Sequence, residues 1–158
     1  MDTKRVINKK RIILLTLSIL CVTFIFTQSL MPANTSSKES GRVVDFLNAI
    51  LDAIGVGVTL SGHFVRKLAH FTEFALLGAS FYFTLNTFDI KRAKKLIFCV
   101  SAYSFVAVFD ECLQLFSAGR ACAVKDMVLD ISGATFGLVI SSILFSIFNN
   151  SKKKGKMS

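Results

Sequence analysis

The chain reads as an all-α, polytopic membrane protein: a four-helix bundle with an extra amphipathic helix on the extracytoplasmic side. Three observations predict this. Hydrophobic residues fill 53% of the 158 positions, mean hydropathy is +0.59, and the apolar residues fall in long unbroken runs rather than an amphipathic scatter. Four of those runs approach the ~20 residues that cross a hydrocarbon core of roughly 30 Å at 1.5 Å per residue. Lys and Arg gather at the ends of the runs. Continuous runs exclude a β-barrel, whose strands alternate. The formal charge of +9 would suit nucleic acid, but basic residues that flank apolar runs predict no nucleic-acid partner. One compact domain accounts for the length.

Residues 1–11 form a basic cytoplasmic head with Lys4, Arg5, Lys9, Lys10 and Arg11. The membrane domain then runs over 12–148. Its first span is 12–31, too long for a signal-peptide core and not followed by a small-x-small cleavage site. Residues 32–41, rich in Ser, Asn and Thr after Pro32, predict a loop. In 42–60, Val43, Phe46, Leu47, Ile50, Leu51 and Ile54 recur at helical spacing while Asp45, Asn48 and Asp52 fall elsewhere. That stretch is too polar to span, so it predicts an amphipathic helix lying on the membrane or capping the bundle, ended by Gly55, Gly57 and Gly62. The second span is 68–88, the basic turn DIKRAKK follows at 89–95, and spans three and four are 96–116 and 127–148. The basic tail, 149–158, is expected to be disordered and cytoplasmic.

Lys and Arg also set the orientation. With four spans, thirteen of them lie on one side (amino end, 89–95 turn, tail) and six on the other. Both termini are therefore expected in the cytoplasm, with the protein multi-pass in the plasma membrane.

Ionisable residues at membrane depth are rare; on insertion scales each costs roughly 2.5–3.5 kcal/mol at a helix centre, and they mark sites. Here they collect at the outer ends of the spans. His70 and Glu73 open span two, Asp110, Glu111 and Gln114 close span three, Arg120 lies in the outer turn, Asp126 and Asp130 open span four, and Gln28 and Ser29 close span one. Arg66, His70 and Glu73 share one helical face at i, i+4, i+7. Asp110 and Gln114, like Asp126 and Asp130, are spaced i, i+4. Adjacent Asp110 and Glu111 project about 100° apart, which predicts Asp110 and Gln114 facing inward and Glu111 bonded to Arg120 or to a neighbouring helix. Asp126 is placed to cap span four. Gly133 and Gly137 form a G-x-x-x-G pair suited to close helix approach.

The four cysteines, 21, 99, 112 and 122, show no C-x-x-C spacing, so zinc-ribbon and thioredoxin-type chemistry lack support. Cys112 and Cys122 flank the outer turn and could pair. His70, Glu73 and Asp110 supply suitable ligands, so a divalent metal is conceivable, but with two histidines and no dense ligand motif no metal is assigned and no cofactor is expected.

RKLAHFTEFALLG (66–78) resembles the K-x-x-H-F-x-E-Y segment of the VanZ-like family, and DECLQLFSAGRACAVKDMVLDISGATFG (110–137) resembles its D-E-x-x-Q-x-F-x-x-x-R-x-x-x-x-x-D-x-x-x-N-x-x-G segment. FTQS at 26–29 is similar to the family's Ser-rich end of helix one. Phe74 stands where Tyr is usual, and Asp130 where Asn is commoner. The resemblance implies a small multi-pass protein of the cell envelope, with a name-giving member associated with teicoplanin resistance.

Two functional classes follow. In the first, an enzyme acts at the outer leaflet on a membrane lipid or lipid-linked envelope precursor: His70, Glu73, Asp110 and Gln114 do acid–base work, Arg120 and Arg66 hold an anionic group, and Glu111, Asp126, Asp130, Gln28 and Ser29 support them. In the second, the same cluster is helix–helix glue in a non-catalytic protein that binds such a lipid, a glycopeptide or an envelope enzyme. No Ser or Cys nucleophile sits beside a base in the sequence, so both classes remain open.

Overall fold

A computed structural model describes the backbone of residues 3–154 and the side chains of residues 8–149. It contains α1 (Thr3–Ser29), α2 (Ala33–Ala53), α3 (Gly62–Leu85), α4 (Arg92–Gln114) and α5 (Val124–Lys154), with no strand among the described residues. Three segments are long and apolar enough to cross a membrane: Asn8–Ser29, Arg92–Gln114 and Val124–Asn149. Only 17%, 33% and 28% of their most apolar windows is buried, so the apolar side chains point outward. Ile12, Leu20, Ile97, Phe105, Phe136 and Phe148 are among those exposed. Water tolerates no apolar surface on this scale, whereas lipid requires it.

α3, expected as the second span, is not among those three. Arg66, Lys67, His70 and Glu73 occupy its first half, and α1, α2, α4 and α5 all pack against it. A central helix exchanges lipid for protein neighbours, so it can carry polar groups that a lipid-facing helix cannot.

Contacts at the two ends fix the helix directions. At one end the Ser117 hydroxyl donates to the Met31 carbonyl at 2.7 Å, tying the end of α1 to the turn between α4 and α5. At the other end Arg11 donates to the Thr87 carbonyl at 2.7 Å, tying the start of α1 to the turn between α3 and α4. Consecutive long helices therefore run in alternating directions. Between the ends, Phe74, Leu77, Cys99, Tyr103, Ala107 and Ala134 form a fully or almost fully buried core. Two hydroxyl pairs cross it, Ser18 with Thr84 at 3.0 Å and Tyr103 with Thr135 at 2.9 Å.

The closest approach joins α3 to α5. A Cβ built at Gly137 would overlap the Ala75 carbonyl, and one at Gly133 would overlap that of Phe71. Gly78 of α3 makes the reciprocal contact with Ala134. The G-x-x-x-G pair thus works with a third glycine that the sequence pattern did not single out.

Several boundaries differ from expectation. The predicted loop at 32–41 is helical, and the helix expected at 42–60 is α2, shifted to Ala33–Ala53. Pro32, at φ −56° and ψ 145°, sets the entry, and the Ala33 N–H finds the Ala118 carbonyl at 3.0 Å. Tertiary anchoring thereby overrides the turn preference of Ser, Asn and Thr. α2 ends at Gly55, whose φ of 75° closes a Schellman turn: Val56 N–H bonds the Leu51 carbonyl and Gly55 N–H the Asp52 carbonyl. No α2 side chain is buried, and Val43, Phe46 and Ile50 are exposed. Asn48 reaches past the turn to pair with both backbone groups of Leu60. α3 begins earlier than expected because Ser61 caps it, accepting from the Phe64 N–H at 3.2 Å. Helix α5 continues through Lys154, where a disordered tail was expected; residues 155–158 of that tail, and the side chains of Lys4 and Arg5 in the basic head, lie outside the described residues.

Candidate functional site

The end of the molecule that holds the α1 terminus also gathers the starts of α2, α3 and α5 and the end of α4. That convergence brings together residues up to a hundred positions apart. The turn between α4 and α5 is shaped by Gly119, at φ 76°, and by the Arg120 N–H bonding the Ser117 carbonyl at 3.2 Å. Arg120, in this turn, lines both of the cavities described below.

Below that turn lies an acidic cluster. Asp110 and Glu111 are both 0% exposed and Asp130 is 2% exposed. Gln114 donates from Nε2 to Asp110 Oδ2 at 3.2 Å and to Glu111 Oε1 at 3.0 Å. Glu111 Oε2 accepts the Ala123 N–H at 2.8 Å. The expectation that Asp110 and Glu111 face different ways is therefore corrected. Their carboxylates come within 4.8 Å of each other, and Gln114, one turn further on, bridges the two. Glu111 consequently bonds Gln114 and the Ala123 backbone, and no ion pair joins it to Arg120 among the described residues.

Two adjoining cavities carry the basic and imidazole groups. The first, about 190 Å³, is lined in part by Lys67, His70, Glu111, Arg120 and Asp130. The second, about 210 Å³, is lined in part by Gln28, His70, Glu73 and Arg120. Arg66 borders both. It donates to the Ser37 hydroxyl at 2.7 Å, yet its Nε is buried without a partner, as is Nε of Arg120. Burial draws the Arg120 guanidinium below its ordinary pKa and Arg66 draws it lower, while Asp110, Glu111 and Glu73 oppose the shift. Arg120 stays charged through this, since an arginine does not deprotonate in proteins.

His70 Nδ1 stands 3.6 Å from Glu73 Oε2, too long for a hydrogen bond, and both atoms are buried without a hydrogen-bond partner. His70 and Asp110 lie within electrostatic reach of each other. Ser29, 0% exposed, sets its hydroxyl against Asp110 without completing a hydrogen bond of good geometry. Asp126 sits in the first turn of α5 and also binds Lys67 at 2.8 Å. Lys67 is the partner that the sequence reading missed. Its place at the mouth of α3, within the quoted family segment, was the available signal. Ser37 was missed as well, because its stretch read as loop. Cys112 and Cys122 are free thiols.

The match to known proteins is now informative. Residues 13–146 match the VanZ/LLP1 family. The chain belongs to that family. The match spans α1 through most of α5 and includes every residue of the two cavities and the acidic cluster. As a VanZ/LLP1 protein with helices suited to crossing a membrane, it is a membrane protein of that type. No curated protein and no solved structure shows a match. Phe74, which stands where Tyr is usual in the resembling segment, is fully buried in the apolar core, where no hydroxyl needs a partner.

Proposed function

We propose that this VanZ/LLP1 protein is a four-span plasma-membrane protein, with α1, α3, α4 and α5 crossing the bilayer and both termini in the cytoplasm. Its outer-face cavities bind the anionic head group of a membrane lipid or a lipid-linked cell-wall precursor, and this activity contributes to glycopeptide (teicoplanin) tolerance. The carrying observation is the pair Arg66 and Arg120, whose buried Nε donors lack acceptors in the walls of two adjoining cavities. Guanidinium forks satisfy such donors with the paired oxygens of phosphate or carboxylate. α2 lies along the outer leaflet with Val43, Phe46 and Ile50 towards lipid. In the enzymatic form of this reading, His70, Glu73, Asp110 and Gln114 handle protons on the bound group.

The second reading is a non-catalytic binding or accessory protein. It is favoured by His70, which has no hydrogen-bonded nucleophile and no completed bond to Glu73. The test compares wild type with Arg120→Gln, His70→Gln and Asp110→Asn at equal membrane abundance. Binding of phosphatidylglycerol is measured by native mass spectrometry, and teicoplanin tolerance is measured in cells. The proposal expects Arg120→Gln to weaken lipid binding about tenfold, which corresponds to about 1.4 kcal/mol, and to lower tolerance. Unchanged binding in Arg120→Gln would sink it. Retained binding with lost tolerance in His70→Gln supports the enzyme; tolerance kept in both His70→Gln and Asp110→Asn supports the binding protein.

A further inference from the structure

Asp110, Glu111 and Asp130 offer carboxylate oxygens that all lie within 4.8 Å of one another, and all three residues are buried. Their surroundings neutralise only part of the set. Gln114 and the Ala123 N–H occupy one oxygen of Asp110 and both of Glu111. Asp110 Oδ1 is buried with no partner, and Asp130, 2% exposed, is held against the same carboxylates. Lys67, the nearby ammonium, is committed to Asp126. Three carboxylates held together away from water must either take up protons or hold a cation between them.

A second observation comes from a different helix. Ser29, the last residue of α1, is 0% exposed, and its hydroxyl has no hydrogen-bond partner although it lies against Asp110. The hydroxyl is near enough to interact with the Asp110 carboxylate but makes no well-formed hydrogen bond to it, so its oxygen is free to turn to a cation held by that carboxylate.

We propose that Asp110, Glu111 and Asp130 bind one divalent cation of the hard, oxygen-preferring class (Mg²⁺, Ca²⁺ or Mn²⁺), with the Ser29 hydroxyl as a neutral oxygen at the edge of the site. An all-carboxylate core selects this class over zinc or copper, which favour imidazole and thiolate. A doubly charged ion leaves the cluster with a single net negative charge, facing Arg120. Glu111 and Asp130 also line the 190 Å³ cavity, which gives the ion a route from solvent and puts it beside the wall where Arg120 stands. The assignment makes Asp110 a ligand and leaves His70 with Glu73 as the proton-handling pair. It goes beyond the sequence reading, which assigned no metal and had considered only His70, Glu73 and Asp110. It also stands independently of head-group binding.

The test uses full-length protein in nanodiscs of neutral phosphatidylcholine, so that no anionic lipid captures the ion. Mn²⁺ is titrated while the spectrum of free aquo-Mn²⁺ is followed by electron paramagnetic resonance. The expected result is one bound Mn²⁺ per chain, displaced by Mg²⁺ or Ca²⁺, without nitrogen coupling from a bound imidazole. Binding should weaken at least tenfold in Asp130→Asn and should not weaken in Arg120→Gln. No stoichiometric binding by wild type, or equal affinity in Asp130→Asn, overturns the proposal and leaves shared protons as the counter-charge. Should Asp130→Asn fail to fold, wild type decides the matter alone: Mn²⁺ raises its melting temperature and EDTA reverses the rise, or the site does not exist. Failure here leaves the head-group reading intact, because that reading is measured with phosphatidylglycerol and Arg120→Gln.

Discussion

Gly137 of α5 rests on the Ala75 carbonyl of α3 with no space for a side chain between them. The same crossing carries His70 and Glu73 on one helix and Asp130 on the other, so the glycine contact sets the spacing of the polar site. Gly137→Val must push the helices apart. Overpacking of this kind costs about 1–3 kcal/mol, read as a lower unfolding midpoint in detergent. Gly41→Ala in α2 is the control: nothing lies within 4 Å of the added methyl, and exchanging Gly for Ala inside a helix stabilises it by up to about 1 kcal/mol.

Glu111 fastens the turn between α4 and α5. It accepts the Ala123 N–H through one oxygen and the Gln114 amide through the other. Glu111→Ala leaves that N–H without its charged acceptor, and a hydrogen bond to a charged group is worth about 1.5–3 kcal/mol. Hydrogen–deuterium exchange over residues 119–123 should accelerate by ten- to a hundredfold, while the buried middle of α4 around Tyr103 changes little. Equal acceleration at both places would mean global unfolding instead of a released turn.

The three most apolar helices were legible because twenty apolar residues in a row have few other outcomes. Most of the polar set was legible too: Arg66, His70, Glu73, Asp110, Arg120 and Asp130 needed only helical spacing and the cost of charge at membrane depth to stand out. What stayed hidden depended on distant partners. Residues 33–41 carry turn-forming side chains, and their helix rests on Pro32 and on the Ala118 carbonyl, 85 positions away from Ala33 in the chain. The shared burial of Asp110 and Glu111 was missed for a related reason. Helical spacing gives the direction of Cβ, while the reach of a Glu side chain and the bridging amide of Gln114 decide where the carboxylate ends.

Cys122 reports orientation. It is exposed in the turn between α4 and α5, whereas Cys99 is 0% exposed within the core. In a Cys112→Ser background, a membrane-impermeant maleimide added to intact cells should label Cys122 and leave Cys99 unlabelled. Labelling only after permeabilisation would invert the proposed topology. Local desolvation, with Glu111 adding to it, holds the Cys122 thiol above its ordinary pKa. The thiolate is the reacting form, so a raised pKa means less of it at any given pH. Labelling at neutral pH should be slower than for a free thiol and should accelerate as pH rises beyond the usual thiol range of about 8.5.

Lys67 and Asp126 form the ion pair between α3 and α5, at 2.8 Å with both side chains 38% exposed. Such exposure makes the pair a weak brace, and a double-mutant cycle with Lys67→Met and Asp126→Asn should return a coupling of about 0.2–1 kcal/mol. Its larger effect should be on binding. Lys67 and Asp126 both line the cavity that Arg120 borders, so Lys67→Met leaves the unpaired Asp126 carboxylate facing an incoming anion. Affinity for phosphatidylglycerol should fall several-fold in Lys67→Met, recover in the double variant, and differ less between variants at 1 M salt, where screening shortens to about 3 Å. A Lys67→Met protein that melts well below wild type but binds lipid normally would show the pair to be structural.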